Sequence, residues 1–136
     1  MKSNRSIPAS TVIPVLPYPN VPEAAAWLCD TFGFTVRVRI ADHRVQLNAG
    51  DGAVVVAERR PRTGDGTTRV MMRVADVDRH YAHARAHGAR DVHAPADYPY
   101  GERQYTVADL AGHEWTFTQT IADVAPEEWG GESGQL

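Results

Sequence analysis

The chain lacks three features that would assign it to a special class of protein. Its single cysteine, Cys29, cannot form an internal disulfide, which favours a reducing compartment and predicts a cytoplasmic protein. Its 14 basic and 17 acidic residues give a net charge of −3, so the overall charge does not favour nucleic acid or an anionic membrane as a partner. It has no apolar run as long as a signal peptide or a membrane span.

What remains is the composition of an ordinary globular protein. With 136 residues and 43% hydrophobic content, the chain can bury a core without disulfides or metal. We expect residues 1–10 to form a flexible leader and residues 123–136 a polar, glycine-rich tail. Residues 11–122 are then expected to fold as one domain.

One pattern occurs twice inside that domain. Asn20 begins a helix as its N-cap and Gly33 ends it, and Asp76 and Gly88 do the same for a second helix. The two N-caps are 56 positions apart and the two glycines 55. This spacing predicts two tandem modules, about residues 11–60 and 67–122, each with the element order βαβββ.

The strand candidates are short apolar or alternating runs bounded by turn residues. In the first module they are Thr11–Leu16, Phe34–Ile40, Arg44–Ala49 and Ala53–Glu58. In the second they are Thr68–Val74, a short Arg90–His93, Arg103–Asp109 and Glu114–Gln119. Tight turns at residues 50–52 and 111–113 should join the last two strands of each module.

The turn Asp109-Leu-Ala-Gly-His113, followed by an alternating strand, carries a resemblance to a known family. Together with the duplicated pattern, it resembles the glyoxalase/bleomycin-resistance family, the vicinal oxygen chelate superfamily, over residues 11–122. The resemblance implies an α+β fold in which two tandem βαβββ modules form a curved mixed sheet, a half-barrel cup that holds the ligand. It also implies a homodimer, because many members place modules of two chains side by side.

The resemblance also bears on metal binding. The family's metal enzymes carry His or Glu ligands at four positions, which correspond here to Ile13, Val56, Arg69 and Thr116. None of these side chains offers a carboxylate, imidazole or thiolate, so we expect no metal and no cofactor at the family site. The family's Lewis-acid chemistry would then lack its electrophile. A shifted site that uses Glu58 and Glu114 stays open as an alternative.

The histidines do not suggest a metal site either. His80, His83 and His87 on the second helix lie beside the apolar stripe, so we expect all three to point towards solvent. His113 lies in the turn motif, where hydrogen bonding that shapes the turn is its expected role.

Alternation along the strands predicts which side chains face the ligand. On the last strand, Trp115 and Phe117 should pack beneath the helices, which leaves the polar residues between them facing the cup. On the strand before the second helix, Arg69, Met71 and Arg73 should face the cup. An arginine there needs an anionic partner, either the ligand or a glutamate of the protein.

Two further pairs complete the candidate site. Tyr98 and Tyr100 would cover a planar ligand, whereas Arg103 and Tyr105 share a strand face that the pattern does not orient. The full set of candidate ligand-binding residues is Arg69, Met71, Arg73, Glu114, Thr116, Glu58, Tyr98, Tyr100, Arg103 and Tyr105.

The leading functional prediction is a small-molecule-binding protein of the glyoxalase/bleomycin-resistance type. It would sequester an antibiotic or another partly anionic metabolite in a metal-free cup, and no catalytic residue is assigned. The alternative is a lyase, isomerase or dioxygenase that uses the shifted metal site or acid/base catalysis by Glu114 and an arginine. A regulatory or interaction module is a third possibility, which a tight small-molecule complex would argue against.

Overall fold

The computed structural model of the chain describes residues 2–59 and 68–136. Two compact units can be distinguished among these residues, the first holding residues 2–59 and Thr68 together with Leu110–Gly112, and the second the remaining residues from Arg69 to Leu136. Each unit holds one α-helix and one four-stranded mixed sheet. The predicted α+β fold of two tandem βαβββ modules is thereby confirmed.

The first unit contains β1 (Val15–Tyr18), α1 (Val21–Phe32), β2 (Thr35–Ile40), β3 (Arg44–Ala49) and β4 (Gly52–Glu58). Its sheet has the order β1-β4-β3-β2, with β1 parallel to β4 and the other pairs antiparallel. The second unit contains β5 (Arg69–Arg73), α2 (Val77–Ala86), β6 (Arg90–Tyr98), β7 (Glu102–Ala108) and β8 (Glu114–Thr120). Its sheet repeats the arrangement as β5-β8-β7-β6. A short 3-10 helix, Pro126–Trp129, follows in the tail.

The helices begin at the predicted caps. The Asn20 side chain accepts a hydrogen bond from the Glu23 N–H at 3.0 Å, and that of Asp76 accepts from the Arg79 N–H at 3.1 Å. Each bond satisfies one of the backbone donors that the first helical turn leaves without a partner. Gly33 ends α1 in the left-handed conformation, with φ of 80°.

Two strand boundaries differ from the predicted ones by more than two residues, and proline explains both. β1 begins at Val15 rather than Thr11, directly after Pro14, which has no N–H to donate to a ladder. β6 runs to Tyr98 rather than ending at His93, because an edge strand tolerates Pro95. Register shifts on either side of His93 absorb the irregularity.

The core of the second unit lies between α2 and its sheet. Trp115 and Phe117 are fully buried, and the Phe117 ring lies 4.2 Å from the ring of His80 on α2, as the alternation of β8 predicted. The expectation that His80 points to solvent is wrong. It is half-buried and its Nδ1 is hydrogen-bonded to the Tyr105 hydroxyl at 2.5 Å, because the inward face of α2 is wider than the apolar stripe alone. His83 and His87 are exposed, as expected.

No helix in residues 2–59 or 68–136 is long and apolar enough to cross a membrane.

Candidate functional site

The side of the second sheet that faces away from α2 gathers most of the predicted site residues, and we call it the polar face. β5 contributes Arg69, Met71 and Arg73, which pair with Glu114, Thr116 and Thr118 of β8. β7 contributes Glu102, Gln104 and Thr106, which pair in turn with Thr120, Thr118 and Thr116 of β8. Directly paired residues point to the same side of a sheet, so the register alone brings these side chains together.

Hydrogen bonds tie the middle of the polar face into one network. The Gln104 side chain donates to the Thr118 hydroxyl at 3.1 Å, and that hydroxyl donates to Glu102 at 2.6 Å. The hydroxyls of Thr106 and Thr116 lie 2.7 Å apart. Gln104, Thr116 and Thr118 are buried, and the network satisfies their polar groups and holds them in one orientation.

The two arginines of β5 differ in their charge environment. Arg69 donates from both Nε and Nη2 to the Glu114 carboxylate, so that carboxylate offsets its charge. Arg73 is exposed and has no ion-pair partner in the part of the chain that the structure describes. The polar face therefore offers an anion the Arg73 guanidinium, which no carboxylate of residues 2–59 or 68–136 neutralises.

Aromatic rings gather at the end of the polar face where β6 turns into β7. Tyr98 and Tyr100 are stacked, with ring centroids 5.4 Å apart and planes 14° from parallel. The Tyr100 hydroxyl donates to Gln104 at 3.0 Å, and burial raises the pKa of that hydroxyl. Trp129 of the tail lies 5.3 Å from the Tyr100 ring.

Trp129 was not among the predicted site residues. Its only signal in the sequence is a large aromatic residue in an otherwise polar tail, and it remains 46% exposed. The tail reaches this position because the N–H groups of Ile121 and Ala122 both donate to the Gly101 carbonyl, at 2.8 and 3.2 Å.

Arg103 and Tyr105 do not join the polar face, because they lie on the α2 side of β7. Arg103 binds Asp78 of α2 and Asp97 of β6, both at 3.0 Å. Tyr105 is fully buried against α2, and this burial raises the pKa of its hydroxyl. Both residues stabilise the packing of α2 on the sheet.

The Asp109–His113 turn is held by one buried carboxylate. Asp109 accepts from the His113 N–H through Oδ1 and from the Trp115 indole N–H through Oδ2, both at 3.0 Å. The Asp109 N–H donates to the His113 carbonyl at 2.9 Å. This turn sets where β8 begins and therefore which of its residues face the ligand side.

The family model of the Glyoxalase/Bleomycin resistance protein/Dioxygenase superfamily matches residues 11–117. The chain belongs to this superfamily. No protein of curated function matches the sequence significantly.

Solved structures share this fold. TioX from Micromonospora sp. ML1 is 32% identical, with a TM-score of 0.71 over 85% of this chain and 100% of TioX. A bleomycin resistance determinant encoded on transposon Tn5 is 20% identical, with a TM-score of 0.68 over 84% of this chain and all of the determinant. Lactoylglutathione lyase from Agrobacterium tumefaciens is 17% identical, with a TM-score of 0.67 over 93% of this chain and all of the lyase. The last two similarities concern the fold alone.

The register corrects one of the superfamily positions. Leu16 lies four residues before the N-cap of α1 and pairs with Val56, while Met72 lies four before that of α2 and pairs with Phe117. Val56 is therefore the counterpart of Phe117, on the helix side, and Val55 is the counterpart of Thr116.

The error arose because the two modules have turns of different length. Two residues separate β3 from β4, whereas five separate β7 from β8, so counting from the turn glycine shifts the alignment. The same alternation puts Glu58 on the side of Val56, away from the side that corresponds to the polar face.

The corrected positions still do not fit a superfamily metal. Ile13, Val55, Arg69 and Thr116 provide two alkyl groups, a cation and a hydroxyl, none of which is a usual ligand of Zn²⁺ or another divalent transition metal. Among residues 2–59 and 68–136, no three His, Cys, Asp or Glu side chains are grouped closely enough to hold an ion.

Proposed function

We propose that the chain binds a planar, partly anionic small molecule on the polar face of its second sheet. Sequestration of an antibiotic or a similar metabolite is the most concrete form of this function. The proposal includes a homodimer and a cytoplasmic location, as expected from the superfamily and from the single cysteine. Membership of a superfamily that includes bleomycin resistance proteins is consistent with it.

One observation carries the proposal, namely the row of paired residues that crosses the polar face. Arg73 pairs with Thr118, Thr118 with Gln104, and Gln104 with Ala96, which lies two residues before Tyr98. Adjacent strands are about 4.8 Å apart, so the row spans roughly 14 Å from Arg73 to Ala96, next to the aromatic end. A ligand with an anionic group at one end and a planar group at the other matches this order.

The middle of the row suits the same ligand. Hydroxyl and carboxamide groups lie between the two ends and are already oriented by their mutual hydrogen bonds. Exposed Met71, with 60% of its surface accessible, adds a polarizable apolar contact beside Arg73. The acid/base alternative is less well supported, because its candidate group Glu114 is bound to Arg69.

The test is a thermal-shift screen of planar aromatic compounds in matched pairs, with and without a carboxylate, followed by calorimetry on the hits. Arg73→Ala should weaken a carboxylate ligand about tenfold, or ~1.4 kcal/mol, and leave the uncharged analogue unchanged. Arg79→Ala, which removes an exposed arginine of α2, is the matched control. Native mass spectrometry of the same complex gives the number of chains per ligand.

If Arg73→Ala and the unaltered chain bind the carboxylate ligand with equal affinity, Arg73 does not bind the anionic group of the ligand. Unchanged affinity of Tyr98→Ala as well would show that the ligand binds elsewhere.

A further inference from the structure

The leader lies against the first sheet instead of extending away from it. The carbonyl oxygens of Arg5 and Ser6 accept hydrogen bonds from Arg37 Nη2 and Gln46 Nε2, each at 2.9 Å. Arg37 Nη1 also donates to Gln46 Oε1 at 2.6 Å, so the two sheet residues act as one unit. Pro8, two residues further along the leader, is buried. Two side-chain donors of the sheet thus hold a segment whose composition predicts flexibility.

A β-bulge creates this pair of donors. Val36 pairs with Leu47 and Val38 with Gln46, which leaves Arg37 as the extra residue of β2. An extra residue in a bulge changes the direction of its side chain, and here the guanidinium comes to lie beside the Gln46 carboxamide. Gln46 is only 5% exposed, so its amide group requires partners from the protein or from a ligand.

The contacts are made to the backbone of the leader. They involve two successive carbonyl oxygens, which every peptide has, whatever its side chains. The leader is shaped for this contact by its own turn, in which the Ser6 N–H donates to the Asn4 side chain at 3.0 Å. Arg5 and Ser6 lie in this turn, which directs their two successive carbonyls to the same side, whereas in an extended peptide they would point to opposite sides.

We propose that Arg37 and Gln46 form a binding site for the backbone carbonyls of a peptide turn and that the leader occupies this site as an intramolecular competitor. Because a short linker gives a tethered segment an effective concentration of the order of millimolar, an external peptide must displace the leader to bind. This site is on the first sheet and is independent of the ligand proposed for the polar face of the second.

The test uses a fluorescein-labelled synthetic peptide with the sequence of residues 2–10 and a chain from which residues 2–9 are deleted. Fluorescence anisotropy should show binding to the deleted chain and at least tenfold weaker binding to the full chain. Arg37→Ala or Gln46→Ala in the deleted chain should lower the affinity at least tenfold. Arg39→Ala, an exposed arginine on the same strand, should leave it unchanged.

Equal affinity of the peptide for the full and deleted chains would overturn the proposal, as would absence of binding to a folded deleted chain. A dimer of the full chain that disappears on deletion would mean that the leader is exchanged between copies, which would overturn intramolecular occupancy.

Should the deleted chain fail to fold, the full chain provides a second measurement. Trypsin cleaves after Arg5, and the bound leader should protect that bond. Arg37→Ala and Gln46→Ala should each accelerate this cleavage at least fivefold relative to Arg39→Ala. Mass spectrometry of the cleavage products measures the rates. Equal rates in the three variants would contradict the proposed contact.

Discussion

At the scale of single residues, Asp109 shows how a motif associated with a functional family performs a structural task. Asp109 is 3% exposed, and its carboxylate accepts from one backbone and one indole N–H, both in the buried part of the second unit. A buried donor that loses its acceptor costs about 1–3 kcal/mol. The carboxylate therefore contributes to the starting point of β8 and, through it, to the polar face.

Asp109→Ala should lower the free energy of unfolding by about 2–4 kcal/mol, because it leaves two buried donors without their acceptor. Urea denaturation followed by circular dichroism measures the change. Asp123→Ala, at an exposed position after β8, is the control and should be close to neutral. A loss below about 1 kcal/mol for Asp109→Ala would mean that other groups satisfy the two donors.

The residue scale also shows where sequence reasoning was incomplete. Alternation placed Glu114, Thr116 and Arg73 on one side of the sheet, as the register does, because the apolar residues between them have a single way to be buried. It did not orient β7, where apolar and polar residues occur on both faces, so only the contacts of Arg103 with Asp78 and Asp97 decide its direction. Trp129 could not be predicted, since nothing local to the tail indicates where it returns to the sheet.

At the scale of elements, the turn between β6 and β7 determines the position of the tail. Gly101 has φ of 83°, and a Cβ there would collide with the carbonyl oxygen of Ala122. The close approach allows the Gly101 carbonyl to accept from both Ile121 and Ala122. Position 101 therefore requires glycine for two reasons: its positive φ, and the lack of room for a Cβ beside Ala122.

Gly101→Ala should displace the tail and destabilise the second unit by about 2 kcal/mol or more, because strain and collision add. Hydrogen exchange should show faster exchange of the Ile121 and Ala122 amides. Gly50→Ala separates the two effects, since Gly50 has φ of 62° but open space around its Cα. We expect only the conformational cost of about 1–2 kcal/mol from that control. Equal costs for the two substitutions would show that the collision is relieved without displacement of the tail.

At the scale of the whole molecule, the two modules share one topology but differ in the chemistry of the faces turned away from their helices. In the first module the residues of β4 on that face are apolar, including Val55 and Ala53, and the leader lies against Gln46 beside them. In the second module the corresponding β8 residues are Thr116 and Glu114. Duplication therefore explains the fold, whereas divergence of these faces separates their proposed roles.

The chain should purify without stoichiometric metal and bind none tightly, because the four superfamily ligand positions, spread over both modules, lack ligand side chains. Elemental analysis of protein prepared without chelator, and calorimetric titration with Ni, Co, Zn, Mn and Fe(II), measure this. A chelator-treated sample is the reference. One tightly held ion per chain would contradict the expectation and make the enzyme alternative the leading function.

Local sequence determined the caps of both helices, the period of the repeat and the inward direction of Trp115 and Phe117. Each of these depends on neighbouring residues alone, through backbone hydrogen bonds or the period of a strand. Tertiary structure decided four other features. They are the match of Val55 in the first module to Thr116 in the second, the inward position of His80, the contact of Trp129 with Tyr100, and the contacts of the leader with Arg37 and Gln46. Those features depend on strand register, turn length and contacts between residues far apart in the chain, and no local pattern encodes the partner of such a contact.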